Sequence, residues 1–273
     1  MSRDCEAFMP ADLVQQVIAS ATPDLVLIGG QALAFWMDHY RIDWEDAHGP
    51  AVSRDVDFFT RNAANTAPLT QFATAIGGRA QVHAIQGQSA LIGSAVAPAG
   101  NGRVYNVDLL HDVIGLKRDS VEANAVTVPV AGSNLTLKVM HPLDVLQSHN
   151  ANLHLLPEKQ DALGELQFRL AIEVASAYLQ EELARIGRAD GLTASQRHRA
   201  LFKTIKVVSE YATEDAAKNN AERYGIFLAD AIPAWCVVAD VFWQKQWPQH
   251  RRRMSREHVD NCEARAGKTF VAN

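Results

Sequence analysis

Cysteine is scarce in this chain. Cys5, Cys236 and Cys262 are scattered over 273 residues without a Cys-x-x-Cys spacing. That argues against a disulfide framework and a zinc site, and it fits a reducing cytoplasm. No His-Glu-x-x-His pattern occurs, and His149 and His154 lack the i, i+4 spacing of a helical metal pair. No apolar run approaches the ~20 residues that a membrane-spanning helix needs. The opening Met1-Ser2-Arg3-Asp4-Cys5-Glu6 carries acids and leads into no long apolar core, unlike a secretory signal. An excess of positive charge is missing too. Lys and Arg number 26 against 31 Asp and Glu, a net charge of −5, so no global basic field advertises nucleic acid, and only a local patch could serve. Repeats and low-complexity segments are absent. The expectation is a soluble cytoplasmic protein with no membrane partner.

What is present begins with an apolar run, Leu25-Val26-Leu27-Ile28, that ends in Gly29-Gly30 and passes into the helix-like Gln31-Ala32-Leu33-Ala34-Phe35-Trp36-Met37. Glycine admits close backbone approach and positive φ. A helix opening directly after it aims free N–H groups at an anion, commonly a phosphate. Further on stands Ser53-Arg54-Asp55-Val56-Asp57-Phe58-Phe59-Thr60. In a strand, Asp55 and Asp57 would share one face while Val56 and Phe58 share the other. Two adjacent like charges repel unless a cation sits between them, and hard oxygen ligands suit Mg²⁺. A third acid, Asp108, lies in a second strand-like run, Arg103 to Leu110. If the two strands are neighbours, three carboxylates converge beside a glycine turn.

Along the chain, residues 10–18 space their apolar side chains as a helix does, and Thr66 to Ile76 reads as another, stopped by Gly77-Gly78. Asp38 to Pro50 reads as a loop or short helical insertion, its Asp43, Glu45 and Asp46 solvated. Short β-like runs follow at 81–85, 90–96, 103–110, 125–130 and 135–139, with Gln86-Gly87-Gln88, Pro98 to Gly102 and Ala131 to Asn134 as their turns. From Pro142 the pattern is helical, broken at Pro157, resumed from Glu158 to Ile186, and reopened at Thr193 with Gln196 closing a capping box. Further helical stretches cover 215–227 and 233–247. Trp235, Trp243 and Trp247 read as core, and Arg251 to Arg256 as a solvated basic run. The expected architecture is α/β (α+β), a mixed sheet with flanking helices over residues 1–141 and a helical region over 142–273.

Gly29-Gly30, Asp55-x-Asp57 and Asp108 together resemble the nucleotidyltransferase superfamily that includes DNA polymerase beta. The Ile28-Gly29-Gly30-Gln31-Ala32-Leu33 opening, the Asp55-to-Phe59 strand and His141-Pro142-Leu143-Asp144-Val145-Leu146 look most like the AbiEii/AbiGii-type toxin nucleotidyltransferases. The resemblance spans roughly Leu25 to Leu170. It implies transfer of a nucleoside monophosphate from an NTP to an acceptor hydroxyl, on tRNA, protein or a small molecule, with an antitoxin as possible partner. Asp55, Asp57 and Asp108 would be the catalytic, Mg²⁺-binding (or Mn²⁺-binding) acids, and Gly29 and Gly30 would hold the nucleotide's β/γ-phosphates. Ser53, just before the acid pair, is a candidate phosphate contact, though a turn residue also explains it. Lys159 is a further candidate contact to the triphosphate, though a surface lysine also explains it. Those toxins place a lysine soon after the Pro-x-Asp segment, where this chain reads Gln147-Ser148-His149-Asn150. The alternative is therefore a catalytically degenerate module that binds nucleotide or a partner protein. A metal-dependent hydrolase ranks last for want of histidine ligands.

Overall fold

The computed structural model describes residues 6–43, 53–83, 89–130, 135–233 and 242–271. Cys5, Cys236, Glu45, Asp46, Trp235 and the turns expected at 86–88 and 131–134 lie outside the described residues. The architecture is mixed α/β, a seven-stranded mixed sheet with helices and a helical C-terminal region. Two compact units divide it, one of residues 1–39 and 43–148, the other of residues 40–42 and 149–273. The division falls after Ser148, inside a helix that starts at Pro142.

The first unit opens with α1 (Ala11–Ser20), β1 (Val26–Ile28) and α2 (Gly29–Tyr40). α2 carries Asp38, His39 and Tyr40, the start of the stretch expected as a loop or short helical insertion. Next come β2 (Val56–Phe59), α3 (Ala67–Ala75) and β3 (Arg79–Val82). α3 ends where expected, because Gly77 has φ 64° and the Gly78 N–H donates to the Ala73 carbonyl at 2.7 Å. β4 (Leu91–Gly100) and β5 (Arg103–Leu110) form a hairpin. Its turn is shorter than the five-residue loop expected from 98–102. Asn101 and Gly102, with φ 51° and 74°, make a two-residue turn whose two positive φ angles match the strand twist. α4 (Arg118–Asn124), absent from the sequence reading, precedes β6 (Val126–Pro129), β7 (Thr136–Val139) and α5 (Pro142–Leu155).

The strand order is β3-β4-β5-β2-β1-β7-β6, with β2–β5 and β1–β7 parallel and the other pairs antiparallel. One sheet face is apolar: Leu27, Phe58, Leu109 and Gly93 lie in register across four strands. α3 covers it, its Phe72 stacked on Phe58 with ring centroids 4.8 Å apart. Both rings are fully buried, and removing either would cost ~3–5 kcal/mol. Trp36 of α2 ties to the strand exit after β7 by donating its indole N–H to the Met140 carbonyl at 2.7 Å. With the apolar face packed in this way, the alternation of β2 and β5 sends Asp57 and Asp108 to the opposite face.

In the second unit, Pro157–Lys159 form a 3₁₀ turn, so the long helix α6 (Ala162–Arg188) starts later than Glu158. Asp161 caps it by accepting the Gly164 N–H at 2.8 Å. α7 (Ala194–Tyr211) carries the capping box of Thr193 and Gln196 in both directions. α8 (Asp215–Tyr224) stops at Gly225, with φ 61°. The buried 3₁₀ turn Leu228–Ala231 packs against α6, α7 and the C-terminal helix Arg256–Val271. Arg265 clamps that turn, donating to Asp230 Oδ1 at 2.7 Å and to the Ile232 carbonyl at 3.3 Å. Trp247 is core as expected, 5% exposed, with its indole donating to Glu263.

Candidate metal centre

The three acids come together. One carboxylate oxygen each from Asp55, Asp57 and Asp108 lies within 4.8 Å of the others, all three residues half-buried. Register explains the convergence of two of them. β2 and β5 are parallel neighbours that place Asp57 directly opposite Asp108, and residues directly opposite share a face. Ser94 continues the row on β4, Gln81 on β3 and Ile28 on β1.

Asp55 arrives differently from the expected two-residue strand spacing. β2 begins at Val56, and Asp55 occupies the bend before it. The reason is the shortness of β1, which ends at Ile28 opposite Asp57 and turns into α2. Asp55 therefore has no β1 residue to pair with. Its carbonyl instead accepts from Gln31 Nε2 of α2 at 3.4 Å, and its Oδ1 accepts from Ser53 Oγ at 2.6 Å. Ser53 is buried at 6% exposure, so this serine anchors a carboxylate.

Both glycines are required by the geometry. Gly29 has φ 63°, and a Cβ on it would collide with the Asp57 carboxylate. A Cβ on Gly30 would fall on Ser53, 2.7 Å from its Oγ. The first turn of α2, whose N–H groups have no partner within the helix, thus sits directly against the acids and their serine.

Asp108 is held by groups that the sequence reading did not single out. Ser94 Oγ donates to its Oδ1 at 2.6 Å and Asn106 Nδ2 to the same oxygen at 2.9 Å. Its Oδ2 accepts no hydrogen bond among the described residues. Asn106 was readable in principle, since it stands two residues before Asp108 on one strand face; Ser94 depends on the hairpin register. Burial pushes the Asp108 carboxyl above the usual carboxylate range, and the neighbouring Asp55 charge adds to the rise. The Ser94 and Asn106 hydrogen bonds and the charge of His83 work against it. A carboxylate raised by burial and by a like charge is relieved by a cation. Three carboxylate oxygens at this spacing could hold a metal ion.

Other candidates fall elsewhere. Lys159 is half-buried and belongs to the second unit. Gln147, Ser148, His149 and Asn150 are all buried, with Asn150 receiving two hydrogen bonds from Asn220 Nδ2 at 2.9 Å. Asp144 is buried at 2% exposure beneath Asn124, whose amide donates to it at 3.1 and 3.4 Å. Burial drives its carboxyl up to about 6, against the Asn124 hydrogen bond. No helix among the described residues is long and apolar enough to cross a membrane. No protein-family model matches the chain, and no curated protein matches it.

Proposed function

We propose that the first unit is a Mg²⁺-dependent nucleotidyltransferase. It would move a nucleoside monophosphate from an NTP to an acceptor hydroxyl on RNA, protein or a small molecule, releasing pyrophosphate, as a toxin restrained by an antitoxin would. The observation that carries this reading is the convergence of Asp55, Asp57 and Asp108 beside the N-terminus of α2. Three half-buried carboxylates without a cation are costly to hold together, and the fold spends two glycines and a buried serine on keeping them there. Bound between the acids, Mg²⁺ or Mn²⁺ would neutralise phosphate charge and polarise the attacking oxygen.

The chain's own groups supply the rest. The N–H groups that open α2 at Gly29 and Gly30 would receive phosphate oxygens, with the helix dipole favouring negative charge. Ser53 fixes Asp55, and Ser94 with Asn106 fixes Asp108. Asp108, the acid made more basic by burial, would take part in drawing the proton from the acceptor hydroxyl.

A non-catalytic nucleotide- or partner-binding module is the second reading. It is favoured by the buried, lysine-free stretch Gln147 to Asn150. Transfer of label from each α-³²P NTP to total RNA, protein and small molecules separates the two. The enzyme labels an acceptor, and an Asp55→Ala/Asp57→Ala variant does not. The binding module labels nothing but is still stabilised by NTP with Mg²⁺.

A further inference from the structure

The chain is acidic overall, yet one face of the second unit concentrates positive charge. On α7, Arg199, Lys203 and Lys206 recur at i, i+4 and i+7, the spacing of a single helix face, and all three are exposed. The opposite face of the same helix carries the buried Leu201, Ile205 and Val208. Arg197 does not belong to the stripe, since it turns back to donate to the Ala189 carbonyl.

A second set of cations joins it. His250 is buried within the electrostatic reach of Glu210 and Lys206 of α7 and of Arg253. That contact brings the exposed turn Arg251-Arg252-Arg253 beside the C-terminal half of α7. Three ion pairs temper the patch: Lys206 with Glu210 at 3.1 Å, Arg251 with Glu263 at 3.3 Å and Arg256 with Asp260 at 3.8 Å. Arg199, Lys203, Arg252 and Arg253 have no ion pair among the described residues. Unpaired exposed cations held together repel one another, so the arrangement favours a polyanion.

We propose that this face docks the phosphate backbone of a polynucleotide. From Arg199 to Lys206 the helix rises ~10 Å, over which a nucleic-acid strand presents about three phosphates at ~3.4 Å rise each. A membrane surface fits less well, because a helix that lies in an interface offers apolar side chains beside its basic ones. Here Leu201, Ile205 and Val208 of α7 are buried and Phe202 and Val207 half-buried, so no large apolar side chain of the helix stands exposed beside the cations. The inference rests on the second unit alone and does not depend on what the triad does.

The test is fluorescence anisotropy of short labelled single-stranded RNA and DNA oligonucleotides with the full chain, without NTP or divalent ion. Four unpaired cations predict a slope of log K against log salt of about −3 between roughly 50 and 200 mM. Replacing Arg199, Lys203, Arg252 and Arg253 together by Gln should weaken binding at least ~10-fold and flatten that slope. An Arg199→Glu/Lys203→Glu variant with an unchanged melting temperature checks the result. Asp55→Asn/Asp57→Asn should bind as the wild type does, so loss of transfer and loss of docking are told apart. Wild-type binding that ignores salt, or that survives both sets of substitutions, overturns the proposal. So does equal competition by polyglutamate or by anionic vesicles of the same charge. The RNA and DNA arms identify which polynucleotide is held.

Discussion

Two glycines with nearly the same backbone angle but different surroundings isolate the architecture of the acidic site. Gly29 has φ 63° and Gly77 φ 64°. An alanine at either position pays ~1–2 kcal/mol for a left-handed conformation. At Gly77 nothing lies within 4 Å of the new Cβ, so that strain is the whole effect. At Gly29 the Cβ collides with the Asp57 carboxylate, 3.3 Å from its Cγ, and the acid must move. Displacing a packed side chain costs ~1–3 kcal/mol more. At about 2–4 °C per kcal/mol for a chain of this size, Gly29→Ala should melt roughly 2–12 °C below Gly77→Ala. The assay is thermal unfolding with and without MgCl₂. Gly77→Ala should keep the Mg²⁺-induced rise of the wild type, and Gly29→Ala should lose most of it. Equal melting temperatures with both variants retaining the rise would refute the claim that Gly29 exists to seat Asp57.

Three further predictions follow from other groups. Ser94→Ala removes one of two donors to Asp108 Oδ1, and it should weaken Mn²⁺ affinity 10- to 100-fold by calorimetry, the usual cost of an orienting partner. Fully buried His258 has its imidazole pushed down to about 4 by burial; the unfolded chain takes up protons near 6.5 that the folded chain refuses. Its contribution to stability is therefore lost as pH falls from about 6.5 to 4, by ~3 kcal/mol, and His258→Gln should flatten urea midpoints over that window. Asp144 behaves oppositely. Its carboxyl rises to about 6 in the fold, so the protein loses stability as pH climbs through that value, by up to ~3 kcal/mol. Asp144→Asn should raise the urea midpoint at pH 7.5 and have little effect near pH 4.

The acids were legible in the sequence because each is chemically conspicuous. An aspartate between apolar strand residues invites a reason, and Asp55, Asp57 and Asp108 share one. Alternation also fixed which side chains oppose them, so Phe58 and Leu109 fall on the packed face. The mixed sheet followed from by the run of short strands, and the capping box at Thr193 from a local hydrogen-bond rule. What escaped depends on long-range register or on lengths. The bend at Asp55 follows from a three-residue β1, and nothing near Asp55 announces it. Ser94 reaches Asp108 only through hairpin pairing fourteen residues away. Gly29 and Gly30 were read as a phosphate cradle, while their side-chain-free surfaces also make room for Asp57 and Ser53. α4 has seven residues, and such a short helix carries too few periodic positions to stand out.

The central claim is that the three acids bind a divalent ion in order to transfer a nucleotide. Label transfer from α-³²P NTPs to cellular RNA, protein and small molecules, with Mg²⁺, tests it most directly. The account predicts acceptor labelling by the wild type, abolished by chelator and by Asp55→Ala/Asp57→Ala. Labelling that persists in the variant, or a wild type that labels nothing with any NTP, would contradict it.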